Sequence, residues 1–496
     1  MGSTSKMMMA VLAVAMVACG CGPRSTPAPP VSAVPVADYA GSIRDRVTTA
    51  AMMAHLSKLQ AIADAHDGNR ALGTPGYEDS ADYVADALRA KGFHVEMPEF
   101  DLRFPFSDVP VVTVGGSTVV AKPLEYTVGT GPQGVSGPLV AARVEDSPGC
   151  TAGDYDGLPV TGAVVLVDRG TCPFGVKELA AAQRGAAALI VADTSDDDRS
   201  GATLGAQTDV RIPAVIVGKS VGQRLRAQPG ATTIHLNAGT RTVKTRNVVA
   251  QTASGSTREG VMVGAHLDSV PAGPGINDDG SGVAAVLETA LQMGSSPPIR
   301  NAVRFGFWAA EEVGLLGSTR YVQSLTDDQL KDVALYLNFD MLASPNPAYF
   351  TMDGDQSAPP VPQRDAPRVP EGSAGIERTL VAYLAAAGKT ARDTSFEGRS
   401  DYDPFVRAGI PAGGIFTGAE GSMTDEEAAL WGGIAGQPYD PNYHQKTDTL
   451  DRINQTALGI NGRGAAFAVA SYAQDLGGRD GVPERGDRTR HPVPGP

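Results

Sequence analysis

From Ile43 to Phe93 the apolar residues recur at helical spacing, so "AAMMAHLSKLQAIADAH" and "YEDSADYVADALRAKGF" read as two amphipathic helices joined by a turn around "GTPG". "HVEMPEFDLRF" follows and reads as a strand. Between about Phe104 and Lys244 the texture changes to short, buried-type strands broken by Gly/Pro turns. "GAVVLVDRG", "AALIVAD" and "IPAVIVG" are such strands, with one helix, "GVKELAAAQRG", between the first two. From Asn247 onward strands and helices alternate: "NVVAQT", "GVMVGAHLD", helix "SGVAAVLETALQMG", "AVRFGFWAA", helix "EEVGLLGSTRYVQSL", "ALYLNFDML". That alternation predicts an α/β sheet with helices on both faces. A last helix is predicted over 455–476, and the tail 478–496, "GGRDGVPERGDRTRHPVPGP" from Gly477 on, is expected to be disordered.

At 496 residues the chain is too long for one ordinary core, and two domains with tails are expected. A formal charge of −14 with no basic run argues against a nucleic-acid partner, which would reward clustered Lys and Arg. At the start, Lys6 precedes an apolar run from Met7 to Ala18, which reads as a secretory signal over 1–18. The run is too short to span a bilayer as a mature helix. "MVAC" resembles the bacterial lipobox, although Met16 stands where Leu is usual and Cys21 is a rival to Cys19. Cys19 is therefore the expected lipidation site of an exported, membrane-anchored lipoprotein, with a cleaved and freely secreted protein as the alternative. Residues 19–42 form a Pro/Ser/Ala-rich tether. Cys150 and Cys172 are the remaining cysteines, and in an exported chain they are expected to form a disulfide.

Several motif matches are decoys. Counting from Asn277, "NDDGSGVAAVLE" places Asn277, Asp279, Ser281, Gly282 and Glu288 at calcium-loop positions. The approach "SVPAGPGI" forbids the helix such a loop needs, and Glu288 falls in an apolar-patterned helix. "GKSVG" around Ser220 satisfies G-x-S-x-G, but no oxyanion-loop motif stands upstream. There is also no H-E-x-x-H.

The stronger signal is a set of polar strand ends. His266 ends "GVMVGAHLD", with Asp268 two residues on, and Asp278 or Asp279 arrives on a turn that opens a helix. "AVRFGFWAAEE" delivers Glu311 and Glu312, "ALYLNFDM" delivers Asp340, and "PNYHQKTDT" brings Tyr443 and His444 on a late loop. Ligands bind at the carboxyl ends of strands in open α/β sheets. Of two adjacent Glu, one can bind a metal while the other faces water. Mixed His and carboxylate donors without Cys suit Zn²⁺, and a carboxylate shared between two ions suits hydrolysis.

"AHLDSVPAGPGINDDGSG", "WAAEEVGLLGS", "YLNFDML", "GRSDYDPF" and "YHQKTDT", in this order, resemble the M28 family of di-zinc aminopeptidases, most closely its secreted bacterial members. "GC" at Gly149–Cys150, "VDRGTCPFGVK", "AAAQRGAAALIVAD" and "IPAVIVG" resemble a protease-associated (PA) domain, which implies a β-rich module that covers or gates a peptidase site. The implied fold is α/β, a mixed, largely parallel sheet sandwiched by helices, with the PA domain inserted into it. The boundaries expected are 43–104 and 246–477 for the catalytic domain and 105–245 for the insertion. By resemblance, His266 and Asp340 would bind one zinc, Glu312 and His444 a second, and Asp278 would bridge both. Glu311 would be the general base, moving a proton from water to the leaving amine. Asp268 would fix the His266 imidazole. Tyr443 would donate to the tetrahedral oxyanion, and Arg399 would hold a substrate or product carboxylate, or else pair with Glu397 or Asp401. Some relatives flank the late His loop with a disulfide that "PNYHQKTD" lacks. The reaction implied is removal of N-terminal, apolar residues from peptide substrates. A carboxypeptidase or dipeptidase is the alternative, and a ligand-free receptor of the same architecture is a third reading.

Overall fold

The computed structural model describes residues 36–143, 149–196, 202–358, 367–477 and 481–493. Cys19 and the signal segment lie outside them. The larger unit is built on an eight-stranded mixed sheet. Its order is His94–Glu96, Val248–Gln251, Asn301–Trp308, Ser256–His266, Val333–Phe339, Ala412–Phe416, Phe350–Met352, Arg392–Thr394. The four central strands run parallel, and the flanking pairs carry the antiparallel partners. Alternation sorts the side chains of the middle strands. Leu335, Leu337 and Phe339 enter one core with the helices Thr49–Ala65, Pro75–Ala90, Gly280–Met293 and Gln455–Gln474. Tyr336 enters a second core with Trp308, Met262 and Phe405 under the short helices Leu316–Ser324 and Tyr402–Arg407. The sheet is thus covered on both faces, as the strand–helix alternation requires.

The inserted unit has its own sheet from Val111 to His235, with four parallel strands at its centre and the helices Phe174–Gln183 and Lys219–Ala227. A two-stranded antiparallel ladder, Glu99–Ser107 with Ala238–Arg246, joins it to the larger unit. The boundary expected between 104 and 105 falls inside that stem. Cys150 and Cys172 are joined by a disulfide.

Four local expectations need correction. The helix Val36–Arg46 occupies the last part of the expected tether, because Tyr39, Ala40 and Ile43 are buried in the larger core. "HVEMPEFDLRF" is two strands in two sheets, broken at Met97–Pro98, where proline offers no N–H to a ladder. The helix read over "EEVGLLGSTRYVQSL" begins only at Leu316, after an irregular turn in which Gly314 takes φ +110°. The tail is ordered over 481–493. Val482 is buried in the core, Arg485 pairs with Asp328 and Asp332, and Arg488 pairs with Glu259. Arg488 and Arg490 also donate to the carbonyls of Lys331 and Val333. Those acidic and carbonyl partners lie far from the tail in sequence, so its composition alone gives no sign of them.

Candidate metal centre

Three of the four central strands lead to polar groups at one rim of the sheet: Ser256–His266 to His266, Val333–Phe339 to Asp340, and Asn301–Trp308 to Glu311 and Glu312. His266 is the last residue of Ser256–His266 and is almost fully buried. Its Nδ1 lies 3.0 Å from the Asp268 carbonyl oxygen, an acceptor, so Nδ1 carries a proton and Nε2 is the nitrogen turned to the site. That Nε2 faces Asp278 Oδ1 at 3.1 Å, Asp340 Oδ1 at 3.7 Å and Glu311 Oε2 at 4.0 Å. The other oxygen of Asp278, Oδ2, lies 3.2 Å from His444 Nε2, which is also 2.9 Å from Glu312 Oε2. Asp278 therefore stands between two imidazoles, one on each oxygen. Chain turns with positive φ at Ala310, Met341 and His444 aim these groups, a strain of about 1–3 kcal/mol each held by the surrounding structure.

The alternative between Asp278 and Asp279 is resolved by hydrogen bonding. Asp279 caps the helix Gly280–Met293 by accepting from Gly282 N–H, and it accepts from the backbone N–H of His266 and Met341 as well. It ties two strand ends to a helix start and faces no imidazole. Asp268 differs from expectation. Its carboxylate stands 3.8 Å from His266 Nδ1 and instead accepts from the backbone N–H groups of Glu311 and Glu312, at 3.1 and 3.3 Å. Its backbone carbonyl, not its side chain, fixes the imidazole.

Tyr443 stacks on the His444 ring at 3.8 Å between centroids, and Arg399 Nη2 donates to its hydroxyl at 3.4 Å. Arg399 Nη1 pairs with Glu420 at 2.9 Å, not with Glu397 or Asp401. Ser220 donates to Asp196 in an exposed position of the inserted unit. Glu288 meets His55 between helices, so neither the serine nor the calcium motif forms a site.

Three contributors escaped the sequence reading. Asp448 accepts from the backbone N–H groups of Asn277 and Asp278, at 2.8 and 3.0 Å, and so presents the Asp278 peptide to the site. Its place four residues after His444 was the available signal. Arg70, fully buried, donates to the carbonyls of Leu267, Pro274 and Gly275 and holds the loop between His266 and Asp278. Asp401 is buried beside the site, and burial lifts its carboxyl to about 7.

The electrostatics show a deficit of positive charge. Burial raises Glu311 well above the carboxylate range, and burial followed by the Asp278 charge lifts Glu312 to about 7. Burial pushes the His266 imidazole down, but Glu311, Asp278 and Asp340 more than reverse it, leaving it well above its usual range. Burial likewise opposes protonation of His444, and the hydrogen bonds it donates to the Asp278 and Glu312 carboxylates overcome it to give about 10. Buried Glu312 Oε1 has no hydrogen-bond partner. One ligand atom from each of His266, Glu311 and Asp340, and from each of His266, Asp278 and Glu312, lies within 4.8 Å of the others in its set. Clustered carboxylates, two imidazoles and an orphaned oxygen fit divalent cations of the zinc type. Beside them opens a cavity of about 110 Å³ walled by Met341, Met352, Ile415 and Phe416, and none of its lining residues comes from 105–245.

Residues 247–469 match peptidase family M28 and residues 135–225 match the PA domain. Over 501 residues the chain is 64% identical to "Probable lipoprotein aminopeptidase LpqL" of Mycobacterium tuberculosis, covering 100% of both. It is 38% identical to "Leucine aminopeptidase 2" of Arthroderma otae, covering 91% of this chain and 90% of that one. The solved aminopeptidase from Aneurinibacillus sp. strain AM-1 superimposes with a TM-score of 0.68 at 25% identity, over 90% of this chain and 98% of that one. The zinc aminopeptidase BSAP from Bacillus subtilis shares the fold, with a TM-score of 0.57 at 23% identity over 88% and 98%.

Proposed function

The chain belongs to peptidase family M28 and is a zinc-dependent exopeptidase, and we propose that it is an exported aminopeptidase working with two zinc ions. His266 and Asp340 would hold one ion, Glu312 and His444 the other, with Asp278 shared between them. The observation that carries this reading is the pair of Asp278 contacts, Oδ1 to His266 and Oδ2 to His444. Zinc, when bound, polarises the scissile carbonyl and makes water a nucleophile near neutral pH. Glu311 takes a proton from the attacking water and passes it to the leaving amine, a role that suits a buried carboxylate whose proton affinity is raised. The packing of Tyr443 on His444 at the cavity wall supports a role for its hydroxyl as donor to the oxyanion.

The cavity walls of Met341, Met352, Ile415 and Phe416 support an apolar N-terminal side chain. A C-terminal carboxylate would have to displace Glu420 from Arg399, which disfavours the carboxypeptidase reading. The full set of five ligand residues with Glu311 disfavours a receptor. The name of the Mycobacterium tuberculosis relative supports lipidation at Cys19 and attachment to a membrane. No helix among the described residues is long and apolar enough to cross one. The PA domain, 105–245 with its stem, is read as an insertion that stands apart from the cavity rather than lining it.

The test is direct. The purified protein should carry two zinc per chain and hydrolyse Leu-p-nitroanilide. Activity should disappear with 1,10-phenanthroline and return with Zn²⁺, and Glu311→Gln should keep both ions while losing about 10²–10⁴-fold in turnover. An active Glu311→Gln variant removes the base assignment, and a protein without bound zinc removes the mechanism.

A further inference from the structure

The edge strands Phe350–Met352 and Arg392–Thr394 close one side of the cavity, where Met352 and Thr394, partners in their ladder, both line it. Met352 packs in the second core with Trp308 and Phe405. Alternation sends Thr351, its ladder partner Asp393, and Asp353 to the opposite face of the sheet. The helix Ser373–Ala386 covers that face, since its Ile376, Leu380 and Leu384 enter the other core. Glu377 of this helix meets the loop that follows Met352. The backbone N–H of Asp355 donates to Glu377 Oε2 at 2.9 Å. Gly354 lets loop and helix come this close, since a Cβ there would stand 2.4 Å from the Ser373 carbonyl.

Carboxylates gather here without a basic partner. One oxygen from each of Asp353, Asp355 and Glu377 lies within 4.8 Å of the others. Ser357 N–H is shared between Asp353 Oδ1 at 2.9 Å and Asp355 Oδ1 at 3.0 Å, and Ser357 Oγ donates to Asp393 Oδ2 at 3.2 Å. Arg392, beside Asp393, pairs with Glu426, and among the described residues no Lys or Arg pairs with any of the four. Asp353 and Glu377 are each only 6% exposed, so water does little to relieve the repulsion. Burial raises Glu377 above the usual carboxylate range, and the charges of Asp355, Asp393 and Asp353 add to it. Thr351 is fully buried, and its Oγ1 has no hydrogen-bond partner. Asp393 stands beside it in the ladder and Asp353 follows it on the same face, under the helix that carries Glu377. The hydroxyl is thus turned into the space between these carboxylates. A buried hydroxyl without a partner is costly, and an ion held by the carboxylates satisfies it.

We propose that Asp353, Asp355 and Glu377, with the Thr351 hydroxyl, bind one calcium ion that braces the cavity wall from behind. The donors are all oxygen, with no imidazole, which suits a hard cation and sets this cluster apart from the one around Asp278. Calcium accepts six to eight oxygens in flexible geometry, and exposed Asp355 leaves one side open to water. The ion ties the loop after Met352 to the helix Ser373–Ala386, and so holds Met352 and Thr394 in place across the sheet. Binding of calcium does not depend on the two-zinc reading. Only its effect on KM rests on the aminopeptidase activity.

The experiment is calorimetric titration of the zinc-loaded protein with CaCl₂, paired with Tm and with Leu-p-nitroanilide kinetics. One calcium ion per chain should bind with a Kd of about 10⁻⁴–10⁻³ M, the range of extracellular modules, and raise Tm. Mg²⁺, which demands stricter geometry, should bind at least about 10-fold more weakly. Calcium should lower KM and leave kcat unchanged. Asp355→Asn and Glu377→Gln should fold, bind calcium at least about 10-fold more weakly, and show a KM that calcium no longer moves. No heat and no rise in Tm up to about 10 mM calcium overturns the proposal. So does a calcium response in Asp355→Asn equal to that of the wild type, which would put the ion elsewhere. Calcium binding with an unmoved KM overturns the bracing of the wall. A protein that binds calcium but hydrolyses no aminoacyl substrate overturns the aminopeptidase reading and leaves the calcium site standing.

Discussion

The Asp268 carboxylate accepts the backbone N–H of Glu311 at 3.1 Å and holds the Glu311–Glu312 turn, while its contact with the neighbouring imidazole runs through its carbonyl. In Asp268→Asn one acceptor oxygen becomes an amide nitrogen, which cannot accept from the Glu N–H groups. The expected outcome is a fall in kcat of about 10–100-fold with both zinc ions retained. Loss of zinc without a change in kcat per loaded site would instead assign Asp268 to the imidazole.

Asp278 meets both imidazoles, whereas Asp340 and Glu312 each meet one. Asp278→Ala should therefore lose both ions, and Asp340→Ala or Glu312→Ala only one. Metal content by mass spectrometry of the desalted variants decides this, and a single ion retained in Asp278→Ala would show that the carboxylate is not shared.

His444 titrates at about 10 in the metal-free protein, above the 6.5 of an ordinary imidazole. Its pair with Asp278, whose carboxylate is held below the usual range, then contributes stability that is fully present below pH 6.5 and is lost as pH rises through about 10. A metal takes only the neutral imidazole, so zinc uptake at pH 7 should release protons and tighten as pH rises. Calorimetry in buffers of different ionisation enthalpy reads the proton count, and zinc affinity independent of pH between 6 and 8 would contradict the prediction.

The C-terminal segment is a strap on the side chains and carbonyls of the helix Asp327–Asp332 and its neighbours. Ending the chain at 480 removes buried Val482 and the guanidinium partner of Glu259. Stability should fall by about 2–4 kcal/mol with kcat unchanged, since none of these residues lines the cavity. Urea unfolding of the truncated and full chains measures the difference.

Much of the site was legible because its residues sit at the ends of apolar runs. A strand such as "GVMVGAH" announces both its burial and the polar residue that terminates it. Arg70 and Asp448 were not legible for the opposite reason. Each is a polar residue in a loop whose local pattern has no period, and each acts on groups distant in sequence, Leu267 for Arg70 and Asn277 for Asp448. Arg399 was legible as a residue but not in its pairing, because Glu420 reaches it through a separate loop.

The sequence by itself determined the three-layered α/β plan, the β-rich insertion, and the residue types that gather at one rim of the sheet. Periodicity carries burial, and burial of alternate positions leaves the sheet few arrangements. Only the tertiary structure decided which acidic neighbour faces the imidazoles, Asp278 or Asp279. One carboxylate is spent on three backbone N–H groups and the other is left to face two imidazoles, a division set by distances of about 3 Å across loops that no spacing in the chain encodes.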